Sequence, residues 1–137
     1  MVSTFPAGEA ASASALTARD LVLCDSLTRI GAPPNVARIL LCLSKGDWMD
    51  STILQDSCRL RQPEVSIAMR SLIEMETVQI KPEKTGGRGR PRHTYRLVGG
   101  LADAVHPFIL DARHELNTLE GSLARIEEAT ANLRTRV

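Results

Sequence analysis

Aromatic side chains are scarce in this 137-residue sequence, which holds one Trp, one Tyr and two Phe. Because 43% of the residues are hydrophobic, the core must be built from aliphatic side chains, which favours a helical protein. No run of 18 apolar residues is present, so no membrane-spanning helix is predicted. Residues 1–14 are small and polar, without the cationic start and apolar stretch of a secretory signal, and are predicted to form a flexible tail.

Cysteine is also sparse and is unsuited to a disulfide framework. The three cysteines, Cys24, Cys42 and Cys58, are odd in number, widely spaced and free of any Cys-x-x-Cys pair. This pattern argues against a disulfide scaffold and against a zinc site, and it favours the reducing cytoplasm. Each cysteine falls on or beside an apolar helical face, so a buried thiol is the default prediction. A thiol redox switch is the alternative.

Arrangements typical of enzymes are missing as well. The sequence shows no Ser/His/Asp order, no paired carboxylates and no phosphate-binding P-loop. Asp103 with His106, and Asp111 with His114, have spacings that metal ligands can share on a helix. The two histidines lie eight residues apart, so ordinary surface residues are favoured over a metal site. We therefore expect no enzymatic activity, no cofactor and no bound metal.

Positive charge is concentrated in one glycine-rich segment, residues 81–96. Its six cations are Lys81, Lys84, Arg88, Arg90, Arg92 and Arg96. Only Glu83 opposes them, so the segment carries a formal charge of +5 in a chain whose total is +1. A concentration of this kind favours binding to a polyanion, most commonly nucleic acid. Residues 77–80 and 94–97 alternate like two hairpin strands, so the segment is predicted to be a basic wing. The alternative is a solvated, charged hairpin tip.

Helix signals precede the wing. Thr17 and Asp20 form an imperfect capping box, and Gly31 is a suitable end for a helix within residues 15–31. The Pro33-Pro34 pair suits the first turn of a second helix. In the first helix, Leu16, Leu23, Leu27 and Ile30 fall at helical spacing and make a broad apolar face that needs a partner. In the second helix, the predicted buried stripe is Val36, Ile39, Leu40 and Leu43.

Two further helices are predicted between this pair and the wing. Trp48-Met49 reads as a short extended segment, and Asp50 or Ser51 can cap a helix from Thr52 to about Cys58, with Ile53 and Leu54 inward. Gln62-Pro63-Glu64 opens the next helix. Its inner face is predicted to hold Val65, Ala68, Met69, Leu72 and Ile73. Its outer face is predicted to hold Gln62, Ser66, Ile67, Arg70, Ser71 and Glu74.

The order helix, short strand, helix, helix, strand, basic loop, strand resembles the winged helix-turn-helix domain over about residues 33–97. The most specific stretches are residues 62–66 and 89–97, which resemble archaeal and bacterial regulators of the MarR, ArsR and TrmB types. Residues 88–91, Arg-Gly-Arg-Pro, also resemble the core of an AT-hook, which enters the minor groove of A·T-rich DNA. The resemblance implies a DNA-binding transcriptional regulator with its fourth helix in the major groove. The predicted DNA-binding residues are Gln62, Ser66, Ile67, Arg70, Lys84, Arg88, Arg90 and Arg92.

The sequence changes character after Gly99-Gly100. Residues that are apolar except for Thr130 recur every seven positions, in one series at Val105, Ala112, Leu119, Ile126 and Leu133, and in another at Ala102, Ile109, Leu116, Leu123, Thr130 and Val137. A helix with this seam spans roughly 50 Å and is too long for a small domain to cover. Pro107 should kink it or start it afresh. The predicted homodimer contacts are Leu23, Leu27, Ile109, Leu116, Leu119, Leu123 and Ile126.

Together these features predict a mainly α-helical protein with a small β-hairpin wing. The predicted parts are a tail (1–14), an N-terminal helix at the dimer contact (15–31), a winged-helix DNA-binding domain (32–98) and a coiled-coil-like dimerisation helix (99–137). The predicted partners are double-stranded DNA and a second copy of the chain, with no membrane. The sequence does not predict a binding site for an effector ligand. Two alternatives remain, an intramolecular hairpin between the first and last helices, and a winged-helix module for protein–protein interaction without specific DNA binding.

Overall fold

The structure is a computed structural model that describes residues 15–83 and 92–135, with side chains described as far as residue 133. The described residues form five helices and three strands, which follow the predicted order. They are α1 (Ala18–Arg29), α2 (Pro34–Leu43), β1 (Met49–Asp50), α3 (Ser51–Cys58), α4 (Gln62–Glu74), β2 (Val78–Glu83), β3 (Arg92–Leu97) and α5 (Leu101–Thr135). The predicted mainly helical architecture with a small hairpin is confirmed. The predicted tail lies outside the described residues.

The ends of α1 are fixed by local hydrogen bonds. The Thr17 hydroxyl accepts the Asp20 N–H at 3.1 Å, and the Asp20 carboxylate accepts the Thr17 N–H at 2.9 Å, so the predicted capping box is present. At the other end, Gly31 has a φ of 118°, and the Ala32 N–H reaches back to the Leu27 carbonyl at 3.0 Å. This Schellman arrangement satisfies carbonyls that the last helical turn leaves open.

The sheet is antiparallel, with strand order β1-β3-β2. Val78 faces Leu97 and Glu83 faces Arg92, so the β2–β3 hairpin extends beyond the four-residue strands that alternation predicted. The two-residue strand β1 pairs Met49 with Tyr95 and thereby joins the hairpin to the start of α3. The hairpin is therefore anchored on the helices at its open end. Its connection, residues 84–91, lies outside the described residues.

Two clusters of buried aliphatic side chains make the core. The larger lies between α2, α3, α4 and the sheet, with fully buried Ile39, Leu40, Leu43, Met49, Leu54, Val65 and Leu72. The second joins α1 to α2 through Cys24, Leu27, Ala32, Ala37 and Leu41. Leu101, Val105 and Phe108, at the start of α5, pack against both clusters. A 2.8 Å ion pair between Lys45 and Asp20 also ties the end of α2 to α1.

Three expectations about apolar side chains need correction. Ile53 is 36% exposed and does not share the inward face of α3 with Leu54. Ile73 is likewise exposed, because the inner face of α4 is narrower than the apolar stripe of its sequence. Leu27, predicted at a dimer contact, is only 4% exposed because α1 turns this side chain onto α2.

Helix α5 runs unbroken through Pro107 for 35 residues. Because proline has no backbone N–H, one carbonyl of the preceding turn lacks its helical hydrogen bond. The loss of this hydrogen bond commonly ends a helix. Here Leu101, Val105 and Phe108 on both sides of Pro107 are held against the core, and this packing offsets the cost. Of the two outcomes predicted at Pro107, a kink or a fresh start, the fresh start is therefore wrong. Within the described residues, no helix is long and apolar enough to cross a membrane.

Candidate nucleic-acid interface

Helix α4 is presented by the two short helices before it. The Asp50 carboxylate accepts the Ile53 N–H at 2.9 Å and caps α3. At the other end of α3, Arg59 takes a left-handed conformation (φ 56°) and directs the chain into α4. The Arg38 guanidinium of α2 donates to the Cys58 carbonyl at 2.9 Å. Both ends of α3 are thus fixed, and these contacts also fix the angle between α3 and α4.

The start of α4 is closed by a carboxylate. Glu64 accepts the Arg61 backbone N–H at 2.8 Å, and Pro63 occupies the first turn, where no helical donor is needed. The hydrogen bond from the Arg61 backbone holds the pKa of Glu64 below its usual value. The carboxylate therefore stays ionised where the helix dipole favours a negative charge.

The two faces of α4 differ sharply. Val65, Ala68, Met69 and Leu72 are buried in the larger core cluster, as predicted. Gln62, Ser66, Ile67 and Arg70 point outward, and Ile67 is 64% exposed. Among the described residues, Arg70 has no carboxylate within ion-pair distance. The outer face therefore offers an arginine, two polar side chains and an aliphatic group, which are suited to reading base edges.

A groove of about 350 Å³ runs beside this face. It is lined by Gln62, Ser66 and Arg70 from α4, by Ser51 from α3 and by Tyr95 from β3. The structure thus brings three of the predicted α4 residues together along one open channel between the helix and the hairpin. Burial raises the pKa of Tyr95, so its hydroxyl stays protonated and can donate a hydrogen bond.

The predicted wing is described only at its base. Lys84, Arg88 and Arg90 lie in residues 84–91, outside the described residues. Arg92 opens β3, and its guanidinium lies 3.0 Å from the Asp50 carboxylate that also caps α3. One carboxylate therefore joins the hairpin to the helix that presents α4. Arg92 is exposed on its other side and retains donors for a further partner.

Sequence reasoning missed a cluster on the outer face of the sheet. Lys81 and Arg96 both lie over the Trp48 ring, at 4.4 Å and 4.6 Å from its centroid. Arg96 also donates to the Gln79 side chain at 3.1 Å, across the β2–β3 pair. The available signal in the sequence was Trp48 together with cations at alternating positions of the two predicted strands. Using this signal requires the register of β1 against β3, and the two strands lie far apart in the sequence.

The predicted dimer contacts on α5 form an exposed stripe. Leu116, Leu119, Leu123 and Ile126 are all more than half exposed, whereas Ile109 is partly covered. Leu23 on α1 is exposed as well. Among the described residues, α5 packs on the core clusters through Leu101, Val105 and Phe108 in its first turns, so the hairpin alternative applies to that part of the helix. The described residues leave the rest of the seam exposed. Among the described residues, no group of three or more His, Cys, Asp or Glu is placed to hold a metal.

The element order, the three-helix core of α2, α3 and α4 and the strand order β1-β3-β2 define a winged helix-turn-helix fold. In that fold the chain resembles a protein of an archaeon and a MarR family transcription regulator. A protein of the thermoacidophilic archaeon Sulfolobus tokodaii has a TM-score of 0.51 at 14% identity, covering 74% of this chain and 92% of that chain. A MarR family transcription regulator has a TM-score of 0.50 at 15% identity, covering 84% of this chain and 78% of that chain. No family model and no curated protein matches the sequence.

Proposed function

We propose that this protein is a homodimeric transcriptional regulator that binds specific sites in double-stranded DNA. In this proposal, α4 enters the major groove and the wing lies on phosphates or in the minor groove. The outward face of α4 is the observation that carries the proposal. The exposed Ile67 and Ser66, together with an Arg70 that has no carboxylate partner among the described residues, match what DNA bases offer to such a face, namely a methyl group and hydrogen-bond acceptors.

Each residue of this face has a separate role. Arg70 can donate two hydrogen bonds to one guanine, and Gln62 can pair with adenine or accept from cytosine. Ser66 can bind a base or a phosphate, and Ile67 can contact a thymine methyl. These contacts would supply discrimination between sequences, since phosphate contacts alone carry no sequence information.

The wing would supply affinity. Its charge of +5 lies within one hairpin, and Lys81, Arg92 and Arg96 are fixed at the base of that hairpin by Trp48 and Asp50. Cations at phosphates displace condensed counterions, so binding through the wing would weaken steeply as salt rises. Arg88 and Arg90 would then reach the backbone or the minor groove from a hairpin already held in place.

The exposed stripe on α5 supports the dimer. A pair of stripes would cover the leucines that one chain leaves in solvent, and the pair would carry two copies of α4. Two such helices would read two half-sites, with a separation near one turn of DNA, roughly 34 Å, or a multiple of it. The exposed Leu23 on α1 would add to this contact.

Selection of bound fragments from a genomic DNA library, followed by fluorescence anisotropy, tests the proposal. We expect recovered fragments to share two half-sites. Arg70→Ala should cost about 1–3 kcal/mol on such a site and less on random DNA. Arg125→Ala is the matched control, because it removes an exposed arginine of α5 away from α4 and off the heptad seam. An equal loss of affinity on both DNAs would show that Arg70 contacts the phosphate backbone of DNA and not the bases. If the recovered fragments share no common sequence, specific binding is refuted.

The wing is tested separately. Replacing Arg88, Arg90 and Arg92 with alanine should weaken binding to all sequences and flatten the slope of log K against log salt by about 0.9 for each phosphate that the variant no longer neutralises. Unchanged affinity and slope in a folded triple variant would remove the wing from the interface. If no DNA is bound while the chain still self-associates, the protein is an interaction module instead.

A further inference from the structure

Two of the three cysteines meet inside the helical core. Cys42 lies in the last turn of α2 and Cys58 is the last residue of α3, and their Sγ atoms are 2.9 Å apart. This is closer than the roughly 3.5–4.0 Å at which nonbonded core carbons pack. A disulfide has a sulfur–sulfur distance of about 2.05 Å, so the two atoms need to approach by only about 0.9 Å to bond.

We propose that Cys42 and Cys58 are a site of reversible oxidation, at which a small peroxide converts two buried thiols into a disulfide that joins α2 to α3. This inference goes beyond DNA binding and does not rest on it. All three thiols are buried, as the sequence predicted, and the proposal develops the alternative of a thiol redox switch, because the fold brings together two cysteines that are sixteen residues apart on different helices.

The surroundings of the pair favour Cys42 as the attacking sulfur. The hydrogen bond shared with Cys58 lowers the pKa of the Cys42 thiol and outweighs the effect of burial. The positive charges of Lys45 and Arg38 act in the same direction, and the negative charge of Asp20 opposes them. The shared hydrogen bond and burial raise the pKa of the Cys58 thiol. A thiolate is the nucleophilic form of cysteine, so the reaction begins at Cys42.

The chemistry balances with one peroxide molecule. The Cys42 thiolate attacks a peroxide oxygen, the O–O bond breaks, and a sulfenic acid forms at Cys42 while hydroxide leaves. The Cys58 sulfur then attacks the Cys42 sulfur, the S–S bond forms and the S–O bond breaks. The proton of Cys58 leaves with the departing oxygen as water. The proton that Cys42 released on becoming a thiolate joins the hydroxide, so two thiols lose two electrons and hydrogen peroxide is reduced to two waters.

The burial of the two thiols limits which oxidants can reach them. Both thiols are fully buried, which favours hydrogen peroxide over bulky disulfide reagents. The third cysteine, Cys24, lies in the smaller core cluster, and burial raises its pKa, so it stays a protonated thiol. Cys24→Ser therefore leaves the pair intact and simplifies the count of thiols.

Hydrogen peroxide treatment of the folded, full-length Cys24→Ser protein tests the site by intact mass spectrometry. We expect a loss of about 2 Da, no titratable thiols after denaturation, and a peptide in which Cys42 is linked to Cys58. Because a closed loop of this length constrains the unfolded chain, the oxidised protein should melt roughly 10 °C higher. Dithiothreitol should reverse all of these changes.

The matched control is Cys24→Ser with Cys58→Ala, which keeps Cys42 but removes its partner. It should show no loss of mass and no rise in melting temperature. Two free thiols remaining in the treated Cys24→Ser protein, a gain of about 32 Da, or a disulfide between two chains would overturn the proposal. If Cys58→Ala fails to fold, the mass and the linked peptide of the Cys24→Ser protein still decide the matter.

Discussion

Replacing Leu119 and Leu123 with glutamate should dissociate the proposed dimer. These side chains are 58% and 53% exposed in the single chain. Full burial of a leucine contributes about 1.5–3 kcal/mol, so covering the exposed half contributes about 1 kcal/mol. A symmetric dimer covers four such side chains, and their removal should weaken association by about 4 kcal/mol, roughly a thousandfold in Kd. Desolvation of the new carboxylates adds to this effect.

Light scattering over a series of protein concentrations measures the effect, with circular dichroism as a check on folding. The matched control is Asn117→Glu with Ala124→Glu, which adds the same two carboxylates at exposed positions of α5 beside the heptad seam. We expect the control to remain a dimer and the seam variant to be a folded monomer that has lost tight DNA binding. A wild-type protein that is monomeric at tens of micromolar would refute the reasoning, as would a seam variant that associates as tightly as the control.

Two further predictions concern stability. Leu54→Ala should lower the free energy of unfolding by about 2–5 kcal/mol in urea denaturation, because a fully buried side chain leaves a cavity; a loss below about 1 kcal/mol would show that α3 collapses onto the site. For Asp20, burial opposes ionisation, but hydrogen bonds from Lys45 and Thr17 outweigh it and lower its pKa. A lowered pKa stabilises the fold above the unfolded-state value of about 3.9, and this contribution is lost as the pH falls through the folded-state value. Asp20→Asn should therefore lower the free energy of unfolding by roughly 1 kcal/mol at pH 7 and by less at pH 3. An equal loss at both pH values would show that the charge of Asp20 does not contribute to stability.

The parts of the fold that the sequence predicted are those controlled by neighbouring residues. The capping box of Thr17 and Asp20, the Asp50 cap of α3 and the proline-opened start of α4 each lie within a single turn of helix. Four of the five residues predicted on the inner face of α4 follow from periodicity, because Val65, Ala68, Met69 and Leu72 pack into an apolar core. These signals place the helices and the outward residues of α4 without knowledge of how the elements pack.

What the sequence did not predict depends on distant contacts. Ile53 and Ile73 are exposed because the width of a buried face is set by the neighbouring helices. The thiol pair of Cys42 and Cys58 depends on the crossing of α2 and α3. The Asp50–Arg92 ion pair joins residues 42 positions apart, through the pairing of β1 with β3. None of these leaves a periodic or local pattern to read.

The position of Trp48 has a spectroscopic consequence. It is the single tryptophan of the chain, and its indole ring lies beneath Lys81 of β2 and Arg96 of β3. Tryptophan emission of the native protein therefore originates at one place, the base of the hairpin, and senses two cations that flank residues 84–91. A change in the position of either cation alters the field at the ring. The unlabelled protein thus carries its own optical probe of the hairpin, read separately from α4 and α5.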